Sequence, residues 1–204
     1  FGDIYNIVPN VYDAADYGVA QCRTRAIIKM FRKGMSWSEP EKCKRISVRE
    51  AIGDLPSIEA GECSKIKWHF ARKHEEKQIE CMKNTPTGQS AIDNLVYFPK
   101  KKNGDRVSSY NTTYRRMRWD VPAPTITMRN DAISSQSNVH PGRELPTGEY
   151  SDARVLTPLE LMLLSSLPAD WEIPDDTPEL LIRKCIGECI PPMLIKKIVS
   201  KIDK

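Results

Sequence analysis

Gln21, Arg23 and Arg25 alternate directly ahead of the apolar run Ala26-Ile27-Ile28-Lys29-Met30, and that spacing restricts the local backbone more tightly than anything else in the chain. Only an extended segment aims residues i, i+2 and i+4 the same way. A face carrying one amide and two guanidiniums suits phosphate oxygens or a nucleobase edge. Upstream, Ile4 to Asp13 alternates weakly and reads as a strand, Tyr17-Gly18 as a loop, and Thr24 to Phe31 as a second strand.

Helix signals follow the strands. Ser47-Val48-Arg49-Glu50 is a capping box, with Gly53 and Pro56 to stop the short helix it opens. Glu75 to Lys83 forms a second helix, ended by Asn84-Thr85-Pro86-Thr87-Gly88. Thr157-Pro158-Leu159-Glu160 combines an N-cap, a proline at the first helical position and the box glutamate, which predicts a helix to about Ser165 before Pro168. Thr177-Pro178-Glu179 repeats the device. After Pro191-Pro192, the positions Leu194, Ile198 and Ile202, with Ile195 and Val199, make an apolar stripe that needs cover. Residues from about 59 to 140 lack long helical periodicity and are rich in Thr, Ser, Asn, Gly and aromatic side chains, the pattern of a loop-heavy, mainly β unit.

Composition bounds the partners. At 204 residues with 40% apolar content the chain holds one or two small domains. No apolar run approaches the roughly 20 residues of a spanning helix, so no membrane is expected and a cytoplasmic chain is. Six cysteines without a Cys-x-x-Cys spacing and three histidines argue against a metal site and against a secreted disulfide framework. The net charge is +4, but residues 62–118 carry 13 Lys+Arg against 6 Asp+Glu. That basic middle is what a segment resting on a phosphate backbone requires. Lys100-Lys101-Lys102-Asn103-Gly104-Asp105-Arg106 has two readings, a basic hairpin tip on phosphate or a solvated turn.

The segment from Gly18 to Arg25 resembles the Gln-x-Arg-x-Arg motif of the DNA cytosine-C5 methyltransferases. Arg154-Val155-Leu156-Thr157-Pro158-Leu159-Glu160 with Ser166-Leu167-Pro168-Ala169-Asp170-Trp171 is similar to that family's Arg-x-Leu-Thr-x-x-Glu and Phe-Pro-x-x-Trp block. Ile186-Gly187-Glu188-Cys189-Ile190-Pro191-Pro192 resembles its last motif, Gly-Asn-x-Val-Pro-Pro. Trp119-Asp120-Val121-Pro122-Ala123-Pro124-Thr125-Ile126-Thr127 and His140-Pro141-x-Arg143 are similar to the exit from its target-recognition region. The motifs occur in the family's order and cover essentially the whole chain.

The resemblance implies an α/β fold: the C-terminal part of a Rossmann-like, S-adenosylmethionine-dependent domain plus a small, loop-rich, mainly β target-recognition domain. Residues 1–45 would hold the last strands of the catalytic domain, 46–145 the recognition domain, and 146–204 the helices that return. The implied partners are double-stranded DNA and an N-terminal catalytic region. The family's Pro-Cys nucleophile, its Glu-Asn-Val segment and its Gly-rich cofactor loop have no counterpart here. The residues before the six cysteines are Gln, Lys, Glu, Glu, Lys and Glu. With Phe1 in first place, the expectation is a C-terminal fragment, or a subunit of a split enzyme, inactive alone; a non-catalytic DNA-binding module is the alternative.

By the same resemblance Arg25 contacts O2 of an extruded cytosine, Arg23 braces the catalytic loop or a phosphate, and Gln21 supports the DNA-side cleft. Gln89, Asn111, Arg115, Arg116, Arg129 and Gln136 have the chemistry to pair with base edges. Lys101 and Thr113 better suit backbone contact. Gly187, Glu188, Cys189 and Ile190 would lie at the cofactor, although Glu188 replaces the family's Asn and would repel a phosphate. Arg154 is implied to be structural, bracing the small domain from below. Trp68, Trp119 and Trp171 read as core anchors, and His140 as a loop hydrogen-bonding residue rather than a base.

Overall fold

The computed structural model describes residues 1–202. Strands β1 (Tyr5–Asp13) and β2 (Thr24–Arg32) pair antiparallel, in a register running from Tyr5 opposite Arg32 to Asp13 opposite Thr24. A 3-10 turn over Ala14–Tyr17 joins them, with Asp13 capping the Ala15 amide and Gly18 closing the turn at φ 85°, where a Cβ would be strained. Alternation gives the hairpin two unlike faces. Tyr12 and Lys29 are buried on the inner face, while Ile7, Pro9, Val11, Ala26, Ile28 and Met30 are exposed on the outer one.

Five α-helices follow, α1 (Val48–Ile52), α2 (Glu76–Lys83), α3 (Pro158–Leu164), α4 (Glu179–Glu188) and α5 (Pro192–Val199). Both expected capping boxes form: Ser47 and Thr157 accept from the amides of Glu50 and Glu160, whose carboxylates return to the cap amides. The Thr177-Pro178-Glu179 expectation fails, because α4 opens without a side-chain cap. Glu179 is drawn instead to Arg183 at 2.6 Å and Arg72 at 3.2 Å.

Helix α3 is the centre of the main core. Leu159, Leu161, Met162 and Leu164 are buried against Val48 and Ile52 of α1, Ile182 and Ile186 of α4, and Met117, Trp119, Ala123 and Ile126. Each such leucine contributes about 1.5–3 kcal/mol on burial. A second cluster holds Cys81 and Met82 of α2 with Ala91, Ile133, Val139, Ala153 and Val155. A third joins Tyr12, Ala14, Tyr17 and Val19 to Leu194 and Ile198 of α5. The Leu194 and Ile198 positions of the α5 stripe are therefore covered by this chain's own hairpin, while Val199 stays 48% exposed.

The middle of the chain is loop-rich, but its mainly β character shrinks to isolated bridges, among them Ser90 with Arg115, Thr113 with Gln136 and Arg116 with Val139. Trp119 is buried and Trp68 half-buried against the main core. Trp171 is not an anchor, being 48% exposed on the turn that Pro168 begins.

Candidate functional site

Gln21 and Arg23 do share a face, and it points into the protein. Gln21 is buried; its amide donates to Ser165 Oγ at 3.0 Å and its oxygen accepts from the Ile126 amide at 3.2 Å. Arg23, 3% exposed, donates to the Ile126 carbonyl and the Gly187 carbonyl, each at 2.8 Å. Backbone bonds extend the seam, from Cys22 to the Ala123 carbonyl at 2.8 Å and from Ala123 to the Ala20 carbonyl at 2.9 Å. The motif, residues 123–127 and the end of α4 are thus one unit, held by a guanidinium whose Nε finds no partner among the described residues.

The resemblance has Gln21 support the DNA-side cleft and Arg23 brace the catalytic loop or a phosphate; here their bonds run to Ser165, Ile126 and Gly187. Both side chains are spent on the protein's interior. Burial and the neighbouring Arg25 push the Arg23 guanidinium below its usual pKa. Arg25 is different: half-buried, it donates to the Thr24 carbonyl at 2.7 Å and makes no ion pair among the described residues. It sits close enough to Cys189 to act on it electrostatically, though burial of that thiol dominates and raises its pKa.

Gly187 explains the approach of α4. A Cβ there would lie 2.4 Å from the Thr127 carbonyl oxygen, so no other residue fits without moving the backbone. Of the four residues expected at a cofactor, Gly187 is wedged in this contact and Cys189 is half-buried, while Glu188 and Ile190 face solvent. That turn alone does not form a cradle for S-adenosylmethionine.

The remaining candidates divide by exposure. Arg116, expected at a base edge, is 1% exposed and donates to the carbonyls of Met82, His140, Tyr150 and Asp152. Burial pulls its pKa down to about 10. Gly142 must lack a Cβ to admit it, the space lying 2.4 Å from Arg116 Nη1. Arg115 is half-buried and bonded to Asn111 and the Gly88 carbonyl. Gln89, Lys101, Asn111, Arg129 and Gln136 are exposed, and Thr113 is half-buried with its hydroxyl bonded to the Tyr110 carbonyl at 2.9 Å. Arg129 leans on Asp131 at 3.7 Å.

Beneath the middle region lies a buried charge network. Arg154, fully buried, forks onto Glu160 at 2.8 and 2.9 Å and onto Asp152 at 2.9 Å. Arg143 reaches the same Asp152 at 3.1 Å and the carbonyls of Gly53 and Leu55. His140 accepts from the Gly142 amide at 3.1 Å and lies edge-on to Trp119; burial drives its pKa down to about 3, so it is neutral. Burial opposes ionisation of Glu160, yet the Arg154 guanidinium, with the Thr157 amide, holds its pKa down to about 2. Sequence reasoning missed Asp152, Ser165 and the Ile126 and Gly187 carbonyls. A backbone acceptor leaves no signature in side-chain type.

A profile of C-5 cytosine-specific DNA methylases matches residues 1–204. The chain belongs to that family. This chain is 61% identical over 202 residues to the Type II methyltransferase M1.HgaI of Avibacterium volantium, covering 99% of this chain and 57% of the relative. It is 44% identical over 228 residues to the Type II methyltransferase M.XorII of Xanthomonas oryzae, covering 98% and 51%. It therefore spans little more than half of these curated relatives. A crystal structure described as a DNA modification methyltransferase encoded within an E. coli prophage shares the fold, with a TM-score of 0.66 at 16% identity over 98% of this chain and 60% of that one.

Proposed function

We propose that this chain is the recognition and C-terminal part of a methyltransferase that moves a methyl group from S-adenosylmethionine to C5 of a cytosine extruded from a duplex. The observation that carries the reading is the seam closed by Arg23, with Arg25 beside it as the guanidinium left for substrate. The target carbon is stacked inside the duplex, so the base must be turned out and its edge held. As a thiolate adds to C6, negative charge spreads toward O2 and N3. A guanidinium donates in its plane, and Arg25 directs such a donor to O2. Gln21 and Arg23 act at one remove, fixing the strand from which Arg25 projects.

The thiolate, and the loop that binds the cofactor, belong to a further region of the enzyme. The outer face of β1 and β2 supports this, since Ile7, Val11, Ile28 and Met30 are 49%, 70%, 65% and 53% exposed on one side of a two-stranded sheet. A two-stranded sheet is marginal alone, and an apolar face of this kind needs cover. Residues 46–145 supply the contact with double-stranded DNA, and the whole enzyme works in a bacterial cytoplasm on the nucleoid as the protecting half of a restriction system. In this assignment the chain alone transfers no methyl group.

The test joins this chain to the thiolate-bearing region of a relative and compares Arg25→Ala with the parent. Loss of one fixed donor to developing charge costs about 10²–10³ in turnover. Methyl transfer should fall by that factor while duplex affinity stays within a few fold; equal losses in both would contradict a role for Arg25 at the base.

A further inference from the structure

The geometry points to a two-loop ridge, residues 108–115 and 132–137, as the part of this chain that reads base edges, with Asn111, Gln136 and Gln89 as readers and Arg115 as a positioning residue. The inference rests on the duplex-binding reading above and narrows it to particular atoms. Thr113 and Gln136 form an antiparallel bridge, and the Ser137 amide donates to the Thr112 carbonyl at 2.7 Å. Ser90 bridges Arg115, and the Arg116 amide donates to the Gln89 carbonyl at 3.0 Å, which brings Gln89 to the same edge. Below, Tyr114 packs on the cluster of Cys81, Met82 and Ile133. Each loop carries a non-glycine residue in left-handed backbone, Tyr114 at φ 48° and Ser137 at φ 42°, a costly conformation that these bridges hold in place.

The chemistry of the ridge is selective. Residues 107–119 and 132–143 contain no aspartate or glutamate, so nothing on either loop repels phosphate. Arg115 Nε donates to the Asn111 carbonyl at 2.5 Å, and its Nη2 donates to Asn111 Oδ1. One lone pair of the Asn111 side-chain oxygen is thereby engaged by a cation, while both amide N–H groups of this exposed residue stay available. It presents donors, and fits an acceptor such as guanine O6 or N7 or thymine O4. Gln89 and Gln136 are exposed and make no side-chain hydrogen bond among the described residues; they keep both donor and acceptor, the pair that matches adenine N6 and N7.

A neighbouring device supplies charge without information. Lys100 and Arg106 bridge across a turn and flank the Phe98 ring at 5.2 and 3.6 Å, and Arg106 donates to the Asn94 carbonyl at 2.9 Å. The exposed Lys101 projects from this hairpin, which is thus tied to the turn leading out of Gln89. Lysine there meets phosphate as a point charge and carries no base preference.

The experiment incubates the 204-residue chain with a random-sequence duplex pool at two salt concentrations and sequences what is retained. The parent should enrich one site. Asn111→Ala and Gln136→Ala should each relax one position of it by about 5- to 150-fold, and the isosteric Gln136→Glu should relax the same position as Gln136→Ala. Arg115→Lys should relax the Asn111 position while keeping overall affinity. Lys101→Ala should weaken every sequence alike and reduce the salt slope by about 1. A selective parent whose preference survives Asn111→Ala and Gln136→Ala overturns the ridge. A parent that retains duplex without preference overturns it too, whereas one that retains no duplex at either salt sinks the duplex-binding reading itself.

Discussion

Arg23 and Arg25 are two residues apart and chemically identical, and their neighbours separate them. Arg23 is buried on two carbonyls, while Arg25 is half-buried and meets one. Arg23→Ala strands the Ile126 and Gly187 carbonyls, and charge-assisted bonds of this kind are worth about 1.5–3 kcal/mol each. Urea unfolding should show a loss of about 2–4 kcal/mol; a variant within about 0.5 kcal/mol of the parent would remove the seam from the account. Gly187→Ala should lose about 1–3 kcal/mol by overpacking against Thr127, and an unchanged midpoint would contradict the close approach. The alternation of Gln21, Arg23 and Arg25 was readable from spacing alone. Which of them are buried was not, because the partners lie 103, 144 and 164 residues away. Ser165 was hidden by the same 144-residue gap from Gln21, and Arg116 by acceptors 24 to 36 residues away that are backbone carbonyls.

At the scale of elements, what is encoded locally was legible and what depends on distant partners was not. The boxes at Ser47 and Thr157 involve residues three apart, so the sequence contains the whole device. Helix α4 lacks such a cap because the competing arginines Arg72 and Arg183 come from outside its first turn. The expected β character of the middle region dissolved into bridges because its loops are pinned by Arg116, Arg143 and Arg154 rather than by long ladders. That pinning is sensitive to pH. His140 is held at about 3, and His74, whose Nε2 accepts from the Val155 amide at 3.4 Å, at about 4, chiefly by burial, against about 6.5 in an unfolded chain. Their contribution to stability is complete above about pH 6.5 and is lost as pH falls toward 4, because the unfolded chain takes up the protons first. Glu160, held at about 2, continues the loss below about pH 4.5. The unfolding free energy should therefore decline from pH 6.5 to 4, and His140→Asn should flatten the slope by up to about 1.4 kcal/mol per pH unit. A parent whose stability does not change across that range would contradict the network.

At the scale of the whole molecule, three apolar clusters among the described residues are closed by the chain itself, and the outer face of the hairpin is not. Helix α5 turns back onto Tyr12, Tyr17 and Val19, so Leu194 and Ile198 find their cover at home. The uncovered surface lies on the other side of the same hairpin, where alternation aims Ile7, Val11, Ile28 and Met30 outward. Val11→Lys with Ile28→Lys should raise the monomeric fraction of the isolated chain in sedimentation, without lowering its unfolding midpoint, and should weaken its association with the thiolate-bearing region. A soluble monomeric parent indistinguishable from the variant in both respects would remove the argument for a covering region. In the proposed assignment this chain chooses and holds a cytosine whose C5 another region methylates. Sequencing of modified bases in DNA exposed to the joined enzyme tests it most directly: 5-methylcytosine should occur in one fixed context, and that context should move when residues 46–145 are exchanged for a relative's. Absence of 5-methylcytosine, or a context that stays with the thiolate-bearing region after the exchange, would contradict it.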